Sequence, residues 1–145
     1  MNDLSLVLNN RAIGLPVLAW LIAQVSKFVV HLVLHRDIDF RKLVSTGGMP
    51  SSHSAITVCL ATILGMDYGF GSGVFALAVI FALVVMTDAA GVRRAAGKQA
   101  EVLNKLIHHS PVIRLDQELK ELLGHTPVQV FAGAVLGIAV ALLLH

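Results

Sequence analysis

The chain contains long apolar blocks. The first, AIGLPVLAWLIAQVSKFVVHLVL at residues 12–34, is long enough as a helix to cross about 30 Å of hydrocarbon. Three more follow, at about 52–70, 74–90 and 128–145. Hydrophobic residues make up 56% of the 145 and charged residues 14%, where soluble domains average about a quarter charged. The expectation is an all-α integral membrane bundle, one domain over 1–145. It should have about four transmembrane helices plus one or two short interfacial helices. The block at 52–70 is the weakest, because its apolar part is short for a full crossing.

The connections fit this plan. DYGFGSG at 67–73 reads as a tight glycine-rich turn between the second and third blocks. Residues 95–123 are polar. AAGKQAEVLNKLIHH reads as an amphipathic helix with Ala96, Ala100, Leu103 and Leu106/Ile107 on one side. Ser110-Pro111 breaks it, and LDQELKELLG reads as a second short helix ending at Gly124. Gly133 and Gly137, four apart in the last block, permit close helix contact within a membrane. The single Cys59 forms no intrachain disulfide and reads as a packed thiol. Residues 1–11 do not make a signal peptide, since the apolar run continues past any cleavage site.

The formal net charge is +2, but its distribution argues against nucleic acid. Lys27, Arg36, Arg41 and Lys42 lie at or after the end of the first block. Arg93, Arg94, Lys98, Lys105, Arg114 and Lys120 lie between the third and fourth. Four crossings put both groups on one side, with Arg11 alone opposite. The positive-inside rule then places the basic side in the cytoplasm, and the expected location is a bacterial plasma membrane.

The polar residues at that end carry the chemistry. In GGMPSSHSA, residues 47–55, two glycines and a proline break regular structure, and Ser51 or Ser52 caps a helix beginning around His53. A helix start suits an anion such as phosphate. Gln24, Lys27, His31 and His35 share one helical face, as expected of residues lining a protein interior or a wet cavity. A second helix start follows His125, with Thr126 as cap and Pro127 in the first turn. With Asp88, Arg93 and Arg94 these make two histidines, several cations and a carboxylate at one face. Arg and Lys bind phosphate oxygens. One imidazole can attack phosphorus while the other protonates the leaving oxygen. No tight metal-ligand spacing and no Walker-type loop occurs, and His108-His109 reads as a solvated helix end.

Three blocks in order, GGMPSSHSA, DAAGVRRAAGKQAEVLN and LGHTPVQVFAGAVLG, resemble the small divergent branch of the type-2 phosphatidic acid phosphatase superfamily, which also holds the vanadium haloperoxidases. The resemblance spans about residues 24–140. In that superfamily the pattern is K-x6-R-P, then P-S-G-H, then S-R-x5-H-x3-D, and its phosphatases need no metal, so no cofactor is expected here. The resemblance implies that His53 is the general acid and His125 the phosphate-attacking nucleophile, with Lys27, Ser51 and Ser52 in the phosphate cradle; Arg93 and Arg94 are expected there by proximity, in place of the family's arginines. Asp88, Gln129 and His31 would support them. The chain departs from the pattern at three places. Gln129 stands where the orienting Asp would be, no Arg-Pro follows Lys27 at the family spacing, and Glu118-Leu119 replaces the Ser-Arg pair.

Two functions follow as expectations. One is a membrane phosphatase that hydrolyses a lipid phosphate or diphosphate through a phosphohistidine. The other is a non-catalytic membrane protein that binds or moves phosphate-bearing lipids. In both, the partners are membrane lipids and not nucleic acid.

Overall fold

A computed structural model describes residues 3–36, 38, 48–108, 119 and 124–145. Arg41, Lys42, His109, Arg114, Lys120 and the helix expected over LDQELKELLG lie outside the described residues. Among the described residues the helices are α1 (Asp3–Leu8), α2 (Arg11–His35), α3 (Ser52–Tyr68), α4 (Gly73–Ala90), α5 (Val92–His108) and α6 (Pro127–Leu144). The chain is an all-α membrane bundle.

Among the described residues, three stretches are long and apolar enough to cross a membrane: Arg11–Leu34, the α4–α5 run Gly73–His108, and Pro127–Leu144. The expectation of about four spans therefore meets three helices of sufficient length. α3 has 17 residues, about 25 Å at 1.5 Å per residue. It is the central helix, packed against α2, α4 and α6, and every residue from Ser52 to Gly65 is buried or half-buried. The outer helices turn large apolar side chains outward, Leu77 and Phe131 among them. A bundle solvated by lipid has this pattern, because burial of apolar surface is not confined to the core.

Small residues let the backbones approach. Gly133 lies so close to α3 that a Cβ there would sit 2.2 Å from the Ser51 carbonyl oxygen, and one at Gly137 would sit 2.5 Å from that of Ala55. The glycine pair of α6 thus forms a slot for the first two turns of α3. Ala19, Ala23, Ala55, Cys59, Ile63, Val140 and Ala141 complete the apolar core of α2, α3 and α6.

The starts of α2, α3, α4 and α6 have caps that satisfy amides the helix leaves free. Asn10 Oδ1 accepts from Ala12 N at 2.9 Å, and Ser72 Oγ from Phe75 N at 3.2 Å. Of the two serines expected to cap α3, it is Ser51, whose Oγ accepts from Ser54 N at 3.3 Å. Thr126 and Gln129 form a reciprocal capping box on α6. At the opposite end, the Arg11 guanidinium donates to the His145 carbonyl at 2.8 Å. The His145 ring meets Asp67 Oδ1 at 2.7 Å, tying the ends of α2, α3 and α6 together.

Candidate functional site

The capped starts of α3 and α6 lie side by side at one end of the bundle. Ser51 N donates to the Gln129 carbonyl at 2.9 Å, so the residue that caps α3 is hydrogen-bonded to the first turn of α6. His53 follows Ser51 by two residues, and His125 precedes Thr126. Their ring centroids are 5.7 Å apart, with planes at 65°. His125 is held from a third direction, because its backbone N–H donates to the Ala89 carbonyl at the end of α4 at 2.8 Å. Gly124, at φ +89°, completes the clamp. A Cβ there would meet the Arg94 nitrogen at 2.5 Å.

The two imidazoles are unequally buried. His125 is 1% exposed and His53 is half-buried. Three buried side-chain atoms here have no hydrogen-bond partner: His53 Nδ1, His125 Nε2 and Ser54 Oγ. Buried polar groups are almost always paired, so these orphans, two on the first turn of α3 and one on the residue leading into α6, leave unused hydrogen-bonding capacity where the two helix starts meet. Burial holds the His125 imidazole below the usual histidine range, against the opposing pull of its hydrogen bond to Gln129. It is therefore neutral near pH 7.

The capping box sets the tautomer of His125. Thr126 N donates to Gln129 Oε1 at 3.0 Å. A backbone N–H can only donate, so the amide oxygen, and not its NH2, occupies that position. The same oxygen lies 3.3 Å from His125 Nδ1. Facing this acceptor, Nδ1 is favoured to carry the ring proton, with the lone pair on Nε2; a hydrogen bond with the Gly48 backbone also acts on the ring.

Lys27 reaches the site from α2. It is 4% exposed, and its ammonium donates to Gln24 Oε1 at 2.8 Å and to Ser52 Oγ at 3.0 Å. Gln24 is buried with it. His31, on the same stripe, is half-buried one turn further along. The side chain of His35 lies outside what the structure describes. Arg93 pairs with Asp88 at 2.8 Å, both sides partly exposed, and both act electrostatically on His53. Arg94 is exposed, and among the described residues its contact with the site is by its backbone, through Gly124.

Lys27, Ser51, Ser52, His53, His125 and Gln129 thus converge directly. Asp88 and Arg93 form the rim, and Arg94 stands outside it. Sequence reasoning missed Ser54 and Ala89. Ser54 was accessible as the residue one turn along from a capping serine. Nothing marks Ala89, which acts through its backbone carbonyl.

The fold and site define an all-α membrane protein with two imidazoles beside adjoining helix starts. The chain belongs to the divergent PAP2 family, which it matches over residues 8–140. It is also similar to the "Uncharacterized membrane protein YuiD" of Bacillus subtilis (strain 168). The two are 41% identical over 139 residues, covering 87% of this chain and 88% of that one. No solved structure matches.

Proposed function

We propose that the protein is a phosphatase acting on a phosphate-bearing lipid, with His125 as nucleophile. The observation that carries this reading is the buried, unpartnered Nε2 of a neutral His125 beside His53 and Lys27. His125 Nε2 attacks phosphorus, the P–N bond forms, and the bond to the lipid oxygen breaks. His53 enters as imidazolium, the form that the negative charge of a bound phosphate favours, and gives that oxygen its proton. His53 then takes a proton from water as the water attacks the phosphohistidine, releasing inorganic phosphate. Lys27, the Ser51–Ser52 helix start and Arg93 hold the charge spread over the phosphoryl oxygens.

One observation favours a second reading, in which the same cradle binds or moves anionic lipids without hydrolysis. Gln129 is neutral and already engaged in the α6 cap. It orients the imidazole but supplies no charge to stabilise the imidazolium that forms once Nε2 has reacted.

Phosphate release from lipid mono- and diphosphates by the purified protein in nanodiscs separates the two. Hydrolysis should be inhibited by vanadate and leave an acid-labile, base-stable phosphoryl group that His125→Asn lacks. Saturable binding of the same lipids without phosphate release would establish the second reading.

A further inference from the structure

The bundle's long apolar helices account for its membrane embedding but leave one helix unexplained. α5 is strongly amphipathic, yet its apolar face is not the one packed on the protein. The buried residues of α5 are Gly97, Ala100 and Asn104, spaced three and four apart on one side. Val92, Val102, Leu103 and Leu106 lie on another side and are 67%, 57%, 48% and 64% exposed. The chain beyond α5 returns on the buried side. Asn104 Nδ2 donates to the Leu119 carbonyl at 2.9 Å, and Leu119 N donates to Asn104 Oδ1 at 3.0 Å.

Two observations identify what covers the apolar face. First, it continues the outer surface of a membrane-crossing helix. A shallow, largely apolar groove runs from Ile80, Leu83 and Val84 on α4, past Thr87 and Asp88, to Val92 on α5, across the break at Gly91. Second, exposed cations flank it. Arg94, Lys98 and Lys105 lie on the adjoining side, with Lys105 also paired to Glu101 at 2.6 Å. An apolar stripe bordered by cations, continuous with lipid-facing surface, matches the boundary between acyl chains and anionic headgroups.

We propose that α5 docks on the bilayer that holds the bundle, seating Val102, Leu103 and Leu106 among acyl chains and placing Arg94 and Lys98 against the phosphates of anionic lipids. A second copy of the chain is the competing occupant. It lacks the continuity with α4, and the one carboxylate on α5, Glu101, is already paired with Lys105.

The test uses the full chain in a Cys59→Ser background, with a nitroxide attached at Leu103→Cys or, separately, at Leu106→Cys or Glu101→Cys. Each is reconstituted in phosphatidylcholine vesicles with and without phosphatidylglycerol. With phosphatidylglycerol, the labels at 103 and 106 should be relaxed more by oxygen than by a water-soluble nickel chelate, and the label at 101 the reverse. Arg94→Gln with Lys98→Gln should weaken the dependence on phosphatidylglycerol, by about fivefold per cation removed. Nickel access at 103 and 106 in both vesicle types overturns the docking. Equal depth in both overturns the role given to the cations. Protection that vanishes as protein is diluted into lipid assigns the face to a second copy and also overturns the proposal. Because both labelled apolar positions are exposed, unchanged thermal unfolding of each variant confirms that the bundle is intact.

Discussion

His125 Nδ1 and Gln129 Oε1 lie 3.3 Å apart, and the same Gln129 oxygen receives the Thr126 amide at 3.0 Å. A helix cap and the orientation of a candidate nucleophile therefore share one atom. In a site using a carboxylate at this position, orientation and charge stabilisation would come together. Here the geometry is retained and the charge is absent.

The shared atom makes Gln129 informative. Gln129→Glu keeps an acceptor at the same reach and adds a negative charge, which favours imidazolium and raises the His125 pKa. The acid limb of the phosphate-release profile should move to higher pH, with turnover at alkaline pH preserved or raised. Gln129→Leu removes the acceptor and frees the tautomer. Turnover should fall by about tenfold or more, equivalent to about 1.4 kcal/mol at the transition state. Steady-state pH–rate profiles of the two variants check both expectations, and an unmoved acid limb in Gln129→Glu would contradict this assignment.

His125 also links stability to pH. Its native pKa lies below the ordinary value because burial disfavours the charged ring. Between the two values the unfolded chain binds more protons, so the contribution is fully present above the unfolded pKa of about 6.5. It is lost as pH falls through the native value. Thermal unfolding in detergent from neutral to acid pH should show this loss. His125→Gln, which cannot charge, should show a shallower decline, and parallel curves would remove His125 as a contributor.

The α3–α6 slot makes a contrasting pair of predictions. Gly133→Ala places a methyl 2.2 Å from the Ser51 carbonyl oxygen. Overpacking of this kind costs about 1–3 kcal/mol, and the shift of Ser51 separates the two helix starts that carry His53 and His125. Gly14→Ala meets nothing within 4 Å, and in a helix interior it should stabilise by about 0.5–1 kcal/mol. Unfolding midpoints should move in opposite directions, with loss of lipid-phosphate turnover or binding confined to Gly133→Ala.

The same slot shows which parts of the structure were legible in the sequence. A glycine pair four residues apart, a serine before an apolar run and a threonine before proline are local signals, and each marks a feature found in the bundle. The fold class followed from block length and apolarity alone. The shortness of α3 was visible as well, but not its place at the centre, which depends on the packing of all its neighbours. Ala89 was illegible for a different reason: it acts through its backbone carbonyl, which accepts the His125 amide, and that contact does not depend on side-chain identity. Gly124 was legible as a break before His125, but the close approach of the start of α5 that requires a glycine there was not. The capping box was available in Thr126-Pro127-Val128-Gln129, yet its effect on His125 required knowing that one oxygen faces two donors.

The sidedness of the site is the remaining prediction. Lys27, Arg36, Arg93, Arg94, Lys98 and Lys105 all lie toward the end bearing His53 and His125, and Arg11 lies at the other. Loops rich in Lys and Arg resist translocation, and acidic residues do little to offset them. The site end should therefore face the cytosol and meet lipids of the inner leaflet. Single cysteines in a Cys59→Ser background provide the measurement. Met49 is 46% exposed at the site end. Gly71 is exposed in the turn at the opposite end, with nothing within 4 Å of an added Cβ. A membrane-impermeant maleimide applied to intact cells should label Gly71→Cys and leave Met49→Cys unreacted until the membrane is permeabilised. Labelling of Met49→Cys on intact cells, with Gly71→Cys protected, would place the histidines on the outer face. In that case the positive charge around the site would not have set the topology of the bundle.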